Sequence, residues 1–227
     1  MKSLFYAYYP RLLAHILFLL GVVAVLFLTS LPVQAQQTHI VLASKSISLE
    51  NRYPNRMVSD VFKDNILLTL AYMRGAEKTQ TPDWKAVTKP FTYDFVLEPG
   101  KAFAFHDTAY LPKYSQSVVK TTNAHYGGHE GFKSDGYLMG DGVCHLASLF
   151  YWAAKDASLE AVAPVNHDFA VIPEISKEYG VAIYSDPANQ AVSAQQNLYI
   201  SNNMDSPVTF HISYNGRDLS VEVLKQI

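Results

Sequence analysis

The chain has 227 residues, 49% of them apolar and 17% charged, with 18 Lys+Arg against 20 Asp+Glu. That composition excludes a disordered tail, a collagen-like repeat and a multi-span membrane protein, and a net charge of −2 with a pI near 6.4 supplies no cationic excess for binding nucleic acid. The one cysteine permits neither an intramolecular disulfide nor a four-cysteine zinc cluster.

Lys2 and Arg11 precede an almost wholly apolar run, Leu12 to Leu31, broken only by His15, Thr29 and Ser30, and Val33-Gln34-Ala35 has the small-x-small pattern of a signal-peptidase site. Residues 1–35 therefore read as an export signal cleaved after Ala35. The apolar run is also long enough to cross a bilayer, so the alternative is an N-terminal membrane anchor. Removing residues 1–35 leaves 192 residues with 16 basic and 20 acidic side chains, a net charge of −4. That is enough chain to bury one ordinary core, so residues 36–227 are expected to form a single extracytoplasmic domain.

His39-Ile40-Val41-Leu42 is expected as a strand, followed by a turn at Asn51 to Asn55. Val58, Val61, Phe62, Asn65, Ile66, Thr69, Leu70 and Met73 recur at three- and four-residue steps and predict a helix over 58–74, stopped by Gly75. Residues 76–90 are polar, contain Pro82 and Pro90, and read as a connection; 91–97 and 102–105 read as strands around a Pro99-Gly100 turn. From His106 to Met139 the chain carries Gly127, Gly128, Gly131 and Gly136 and few aliphatics. Such a long loop is uncommon unless functional, and it is expected to wall a site. Val143 to Ala154 is apolar nearly all round, the pattern of a buried central helix. Five strand-like runs follow, at 169–172, 181–184, 197–201, 208–214 and 219–224. The order predicts an α+β fold with a mainly antiparallel sheet packed on the Cys144 helix.

Cys144 falls in the first turn of that helix, directly after Gly140-Asp141-Gly142. Unpaired backbone N–H groups and the positive helix end there favour a thiolate and a lowered pKa. His167, just before the 169–172 run, is the candidate base, and a cysteine on a helix with a histidine on a following strand is the papain-like order. His145 projects about 100° away round the helix and is expected at the rim. His125 and His129 are four apart and with Cys144 or His167 could make a tetrahedral zinc site, but they fall in a glycine-rich loop where helix is disfavoured, so they read as exposed loop histidines. No metal and no cofactor is expected. For a residue orienting His167 the chain offers Asp168, Asp186, Asn189 and Asn197, of which a neighbouring-strand residue such as Asn197 is preferred.

The block Gly142-Val143-Cys144-His145-Leu146-Ala147-Ser148 through Ala154, with Asn166-His167, Gly180 and Asn197 to Asn202, resembles the VanW-like family. So do Asp64-Asn65-Ile66 and Glu98-Pro99-Gly100-Lys101-Ala102-Phe103-Ala104-Phe105, and the resemblance spans roughly residues 58–225. It implies an exported cell-envelope protein from a family found beside some vancomycin-resistance genes. The chain departs from the family pattern in having His145 where a Gln is usual, Ala147-Ser148 where a Ser-Thr pair is usual, and no Asp at Val181. Two functions follow as expectations. In the first, Cys144 is the nucleophile, His167 the base, and backbone N–H groups near Gly142 hold the oxyanion of a cell-wall peptide or amide, with His145 beside the substrate. In the second, the domain binds peptidoglycan without catalysis, the 106–139 loop gripping it through residues such as Tyr126, and Cys144 is a buried structural residue.

Overall fold

The computed structural model describes residues 38–77 and 81–227; the export segment expected at 1–35 lies outside the described residues. Strands β1 (His39–Ser48), β2 (Phe91–Leu97), β7 (Val208–Tyr214) and β8 (Asp218–Gln226) form one sheet in the order β1-β8-β7-β2, every pairing antiparallel. The two-residue period sets which face is dry. Val208, Phe210, Ile212 and Tyr214 on β7, and Leu219, Val221 and Val223 on β8, are buried, while the residues between them are more exposed. A second, smaller sheet has the order β4-β3-β6-β5. Its strands are β3 (Ala102–Ala104), β4 (Val118–Lys120), β5 (Glu160–Val162) and β6 (Tyr199–Ser201), and only the β3–β4 pair is parallel.

Two main helices fill the interior. Helix α1 (Arg56–Met73) begins at Asn55, whose side chain accepts the Met57 and Val58 N–H groups, and Gly75, at φ +70, follows its C-terminal cap. A four-residue turn, α2 (Trp84–Val87), follows. Helix α3 (Val143–Asp156) lies on the dry face of the first sheet. Its Phe150 ring sits 5.6 Å from Phe103 and 6.2 Å from Phe210, and Phe210 stacks on Phe95 at 4.9 Å. Each such side chain contributes about 1.5–3 kcal/mol by leaving water, so this aromatic column ties the α3 helix to both sheets. Helix α4 (Gln190–Gln195) is short and capped by Asn189. The fold is α+β, with α3 packed on a mainly antiparallel sheet, as the sequence pattern predicts.

Several elements differ from expectation. β1 runs ten residues, because the polar stretch Ser44-Lys45-Ser46 continues an edge strand paired to Glu222-Val221-Ser220. Residues 106–139 are not wholly irregular: they contain β4 and a 3-10 turn at Gly128–Glu130. Residues 169–172 form no strand; Phe169 and Val171 point outward instead, 73% and 77% exposed.

Residues 181–184 are extended but enter no ladder. Their backbone N–H groups are nonetheless all satisfied. The N–H groups of Ala182 and Tyr184 donate to the carbonyls of Val165 and Gln196, at 3.0 Å each. On the other side, the Val181 N–H donates to Ser148 Oγ at 2.9 Å and the Ile183 N–H to Cys144 Sγ at 3.4 Å. Cys144 and Ser148 stand one helical turn apart, and alternate N–H groups of an extended chain face one way. Two α3 side chains thus stand in for the missing neighbour strand.

Candidate functional site

The mouth of a cavity of about 220 Å³ opens where the start of α3 meets α1, and residues 138–142, His167, 169–171 and Ile183 complete its wall. Gly142 caps the α3 helix at φ +98, and a Cβ there would lie 2.6 Å from the Phe62 carbonyl oxygen. This glycine therefore allows the two helices to meet. Asn65, fully buried on α1, holds the preceding segment with three hydrogen bonds. Its Nδ2 donates to the Lys133 and Asp141 carbonyls at 3.0 and 2.9 Å, and its Oδ1 accepts the Lys133 N–H at 2.9 Å.

Cys144, His145, Gly142 and His167 all line this cavity, although His167 comes from 23 residues beyond Cys144. His167 sits in an irregular segment, not on a strand. Among the described residues no hydrogen bond joins the thiol to either imidazole; Cys144 Sγ is engaged by Ile183. The thiol pKa moves opposite to the direction expected of a helix N-terminus. Burial pushes it up to about 11, the Asp141 charge adding to the rise and the Ile183 N–H opposing it. His145 is buried inside the wall, not at the rim, with Phe62 edge-on at 5.0 Å and the His167 ring at 6.2 Å. Burial, then the nearby Arg52 charge, holds the His145 imidazole neutral with a pKa of about 3, and burial lowers that of His167 as well. Among the described residues the Nδ1 atoms of both rings have no well-aligned hydrogen-bond partner, although the backbone of His167 and Ala170 lies close enough to the His167 ring to oppose the lowering by burial.

The other expected participants lie elsewhere. Tyr126 is a core residue at φ +66, its hydroxyl bonded to Phe105 O and Thr122 Oγ1, and it does not line the cavity. Asn197 is fully buried and bonds the backbone of His106, Ala109 and Leu198. Asp168 is exposed, and Asp186 and Asn189 serve the turn into α4.

His129 is exposed. His125 is clamped between two carboxylates, Nε2 2.8 Å from Asp107 and Nδ1 3.1 Å from Glu130. The Asp107 hydrogen bond and then the Glu130 one push its pKa up to about 10, against burial. A raised folded-state value means the imidazolium stabilises the fold, fully below about 6.5 and progressively less as pH climbs towards 10. Asp107 is held below its usual range chiefly by the His125 hydrogen bond, and Glu130 is lowered by its bonds to His125 and Gly127 against the burial that opposes them, so the carboxylate share is lost only in acid. Wild type is therefore expected to lose urea resistance between pH 7 and 10 more steeply than His125→Gln. An NMR titration of the His125 ring with a midpoint near 6.5 would contradict this.

Sequence reasoning missed Arg52, which precedes α1 in what reads as a turn. Its side chain lines the cavity, 1% of the residue is exposed, and Nη1 donates to the Pro173 carbonyl at 3.3 Å. Nη2 lies 3.2 Å from Glu174 Oε2, an ion pair without hydrogen-bond alignment, and Nε has no partner. Tyr53, Phe62 and Ile183 were also missed as wall residues, whereas Leu138 and Met139 come from the end of the 106–139 segment expected to wall a site.

The family model described as VanW like protein matches residues 91–224. No curated protein and no solved structure matches the chain. Since that model spans more than half of the sequence and contains the start of α3, Cys144 and His167, the chain belongs to the VanW like protein family.

Proposed function

We propose that this chain is an exported cell-envelope protein whose cavity binds the peptide part of peptidoglycan, with Cys144 as a structural group and not a resting nucleophile. The observation that carries this reading is the position of Cys144 Sγ, which accepts the Ile183 N–H and so docks the 181–184 segment on α3. A neutral, partly buried thiol performing that task has the character of an inert structural cysteine. On this reading residues 1–35 direct export, and the membrane is a further partner if they are retained.

Cys144→Ser keeps an acceptor at the same place and is expected to sediment with purified cell walls as wild type does. Alkylation by iodoacetamide is expected to be slow at pH 8 in the folded protein and unchanged by His167→Ala. The second reading, a Cys144/His167 hydrolase or transferase, is favoured by one observation, that both side chains line the same cavity. It requires an apparent thiol pKa below the free value of about 8.5 that rises in His167→Ala. That result, with loss of activity on peptidoglycan fragments in Cys144→Ala, would replace the binding reading.

A further inference from the structure

The inner wall of the cavity carries three polar side chains that are each more than nine-tenths buried and incompletely bonded. They are Arg52 at Nε and Nη2, His145 at Nδ1 and His167 at Nδ1. They come from three separate parts of the chain, so no local turn geometry explains their convergence. A buried guanidinium is costly unless its N–H groups are matched. Here the Pro173 carbonyl takes one, and Glu174 supplies charge at 3.2 Å while also accepting the Ser48 N–H at 2.8 Å. Glu174 is 42% exposed at its side chain, so it faces water as well as Arg52. Around the opening the wall is apolar: Tyr53, Leu138, Met139, Phe169 and Val171 are all exposed and all line the same cavity. A polar inner wall with one cation beneath an apolar rim suits a ligand that is anionic at its tip and apolar behind it.

Resting on the binding reading above, we infer that this cavity takes the free C-terminal carboxylate of a short peptide, with Arg52 as its anchor and His145 and His167 as hydrogen-bonding partners. A planar carboxylate matches the guanidinium fork. A carboxylate fits better than a phosphate for two reasons. Among the described residues Arg52 is the one full cation in the lining and shares its charge with Glu174, and the Asp141 carboxylate also lines the cavity and opposes a second negative charge. A neutral imidazole can present an N–H to the carboxylate through either tautomer, so no proton need be taken up. The size agrees, since about 220 Å³ is below the roughly 300–1,000 Å³ of pockets that bury drug-sized ligands, space for a peptide end and not for a glycan strand.

The test is isothermal titration of the full chain with acetyl-Ala-Phe carrying a free carboxylate, with its C-terminal amide, and with phenyl phosphate. In wild type the acid is expected to bind at least about tenfold more tightly than the amide, the scale of one charge-assisted pairing. Arg52→Gln should erase that preference while leaving the weak amide affinity in place. Should Arg52→Gln fail to fold, Glu174→Gln serves as the second variant: it removes a competing anion at the surface and should tighten the acid severalfold without changing the amide. Equal affinity for acid and amide in wild type overturns the carboxylate inference and leaves peptide binding standing, as does an acid preference that survives in Arg52→Gln. Tighter binding of phenyl phosphate also overturns it, in favour of a phosphate ligand. If neither peptide form binds and the chain does not sediment with cell walls, the binding reading falls and the inference with it.

Discussion

Asn65→Ala is expected to lower stability by about 3–5 kcal/mol, because the side chain ties α1 to the loop that enters α3 at three points. Alanine leaves the Lys133 N–H and the Lys133 and Asp141 carbonyls without their partner, in a place where Asn65 itself is fully buried. A buried group stranded in this way costs about 1–3 kcal/mol, the N–H more than carbonyls that retain a second lone pair. For a domain of this size each kcal/mol moves Tm by about 2–4 °C, so a fall of roughly 6–20 °C should appear in a calorimetric scan. Asn65→Asp sharpens the test. It keeps an acceptor for the Lys133 N–H but loses the donor to two carbonyls and buries a charge, so it should be at least as damaging at pH 7. A loss under about 1 kcal/mol in the alanine variant would mean that the 133–141 loop is held by something else.

Gly142→Ala is expected to cost about 2–5 kcal/mol, from two separable sources. The residue caps α3 at φ +98, a left-handed conformation that costs a residue with a Cβ about 1–2 kcal/mol. The new Cβ would also meet Phe62, at 2.6 Å from its carbonyl oxygen and 2.8 Å from its Cα. These are backbone atoms that cannot swing aside, so α1 must move, at about 1–3 kcal/mol for overpacking of this kind. Gly100→Ala isolates the first source: that glycine also has positive φ, +73, but an added Cβ meets nothing within 4 Å. Comparing the two variants by urea denaturation should leave a difference of at least about 1 kcal/mol assignable to the α1–α3 contact. Equal losses would show that the helices are not in limiting contact at this point. Because Gly142 and Phe62 both line the cavity, the same shift should weaken whatever binds there.

The elements that the sequence makes legible are those whose own residues supply the pattern. The helix expected at 58–74 is observed at Arg56–Met73, and β2, β7 and β8 fall within two residues of their expected bounds. In each, the apolar period matches the face that is buried, so local composition and tertiary packing agree. Where packing supplies the order, the sequence misleads. Residues 169–172 and 181–184 are rich in strand formers, yet neither finds a partner strand, and the second is held by Cys144 and Ser148 instead. Conversely Ser44-Lys45-Ser46 looks like loop but is the second half of an edge strand, stabilised by pairing with residues about 175 positions away.

The same division runs through the candidate site. Cys144 and Gly142 are conspicuous in the sequence because they sit at the junction of a glycine loop and an apolar helix, and His167 because it is a histidine downstream of them. What surrounds them is decided by the fold. The helix start that would favour a thiolate is covered, so the cost of burying charge outweighs the helix-end field and the thiol stays neutral. Arg52 gives no sign of itself in a turn of ordinary composition; only the fold removes it from water, against Pro173 and Glu174 and close enough to His145 for its charge to act there. The sequence by itself determined the class of fold, the two central helices and the family, since these depend on periodicity and on a contiguous motif. The tertiary structure decided which side chains share the cavity and which of them are charged, because those properties depend on desolvation and on contacts between residues far apart in the chain.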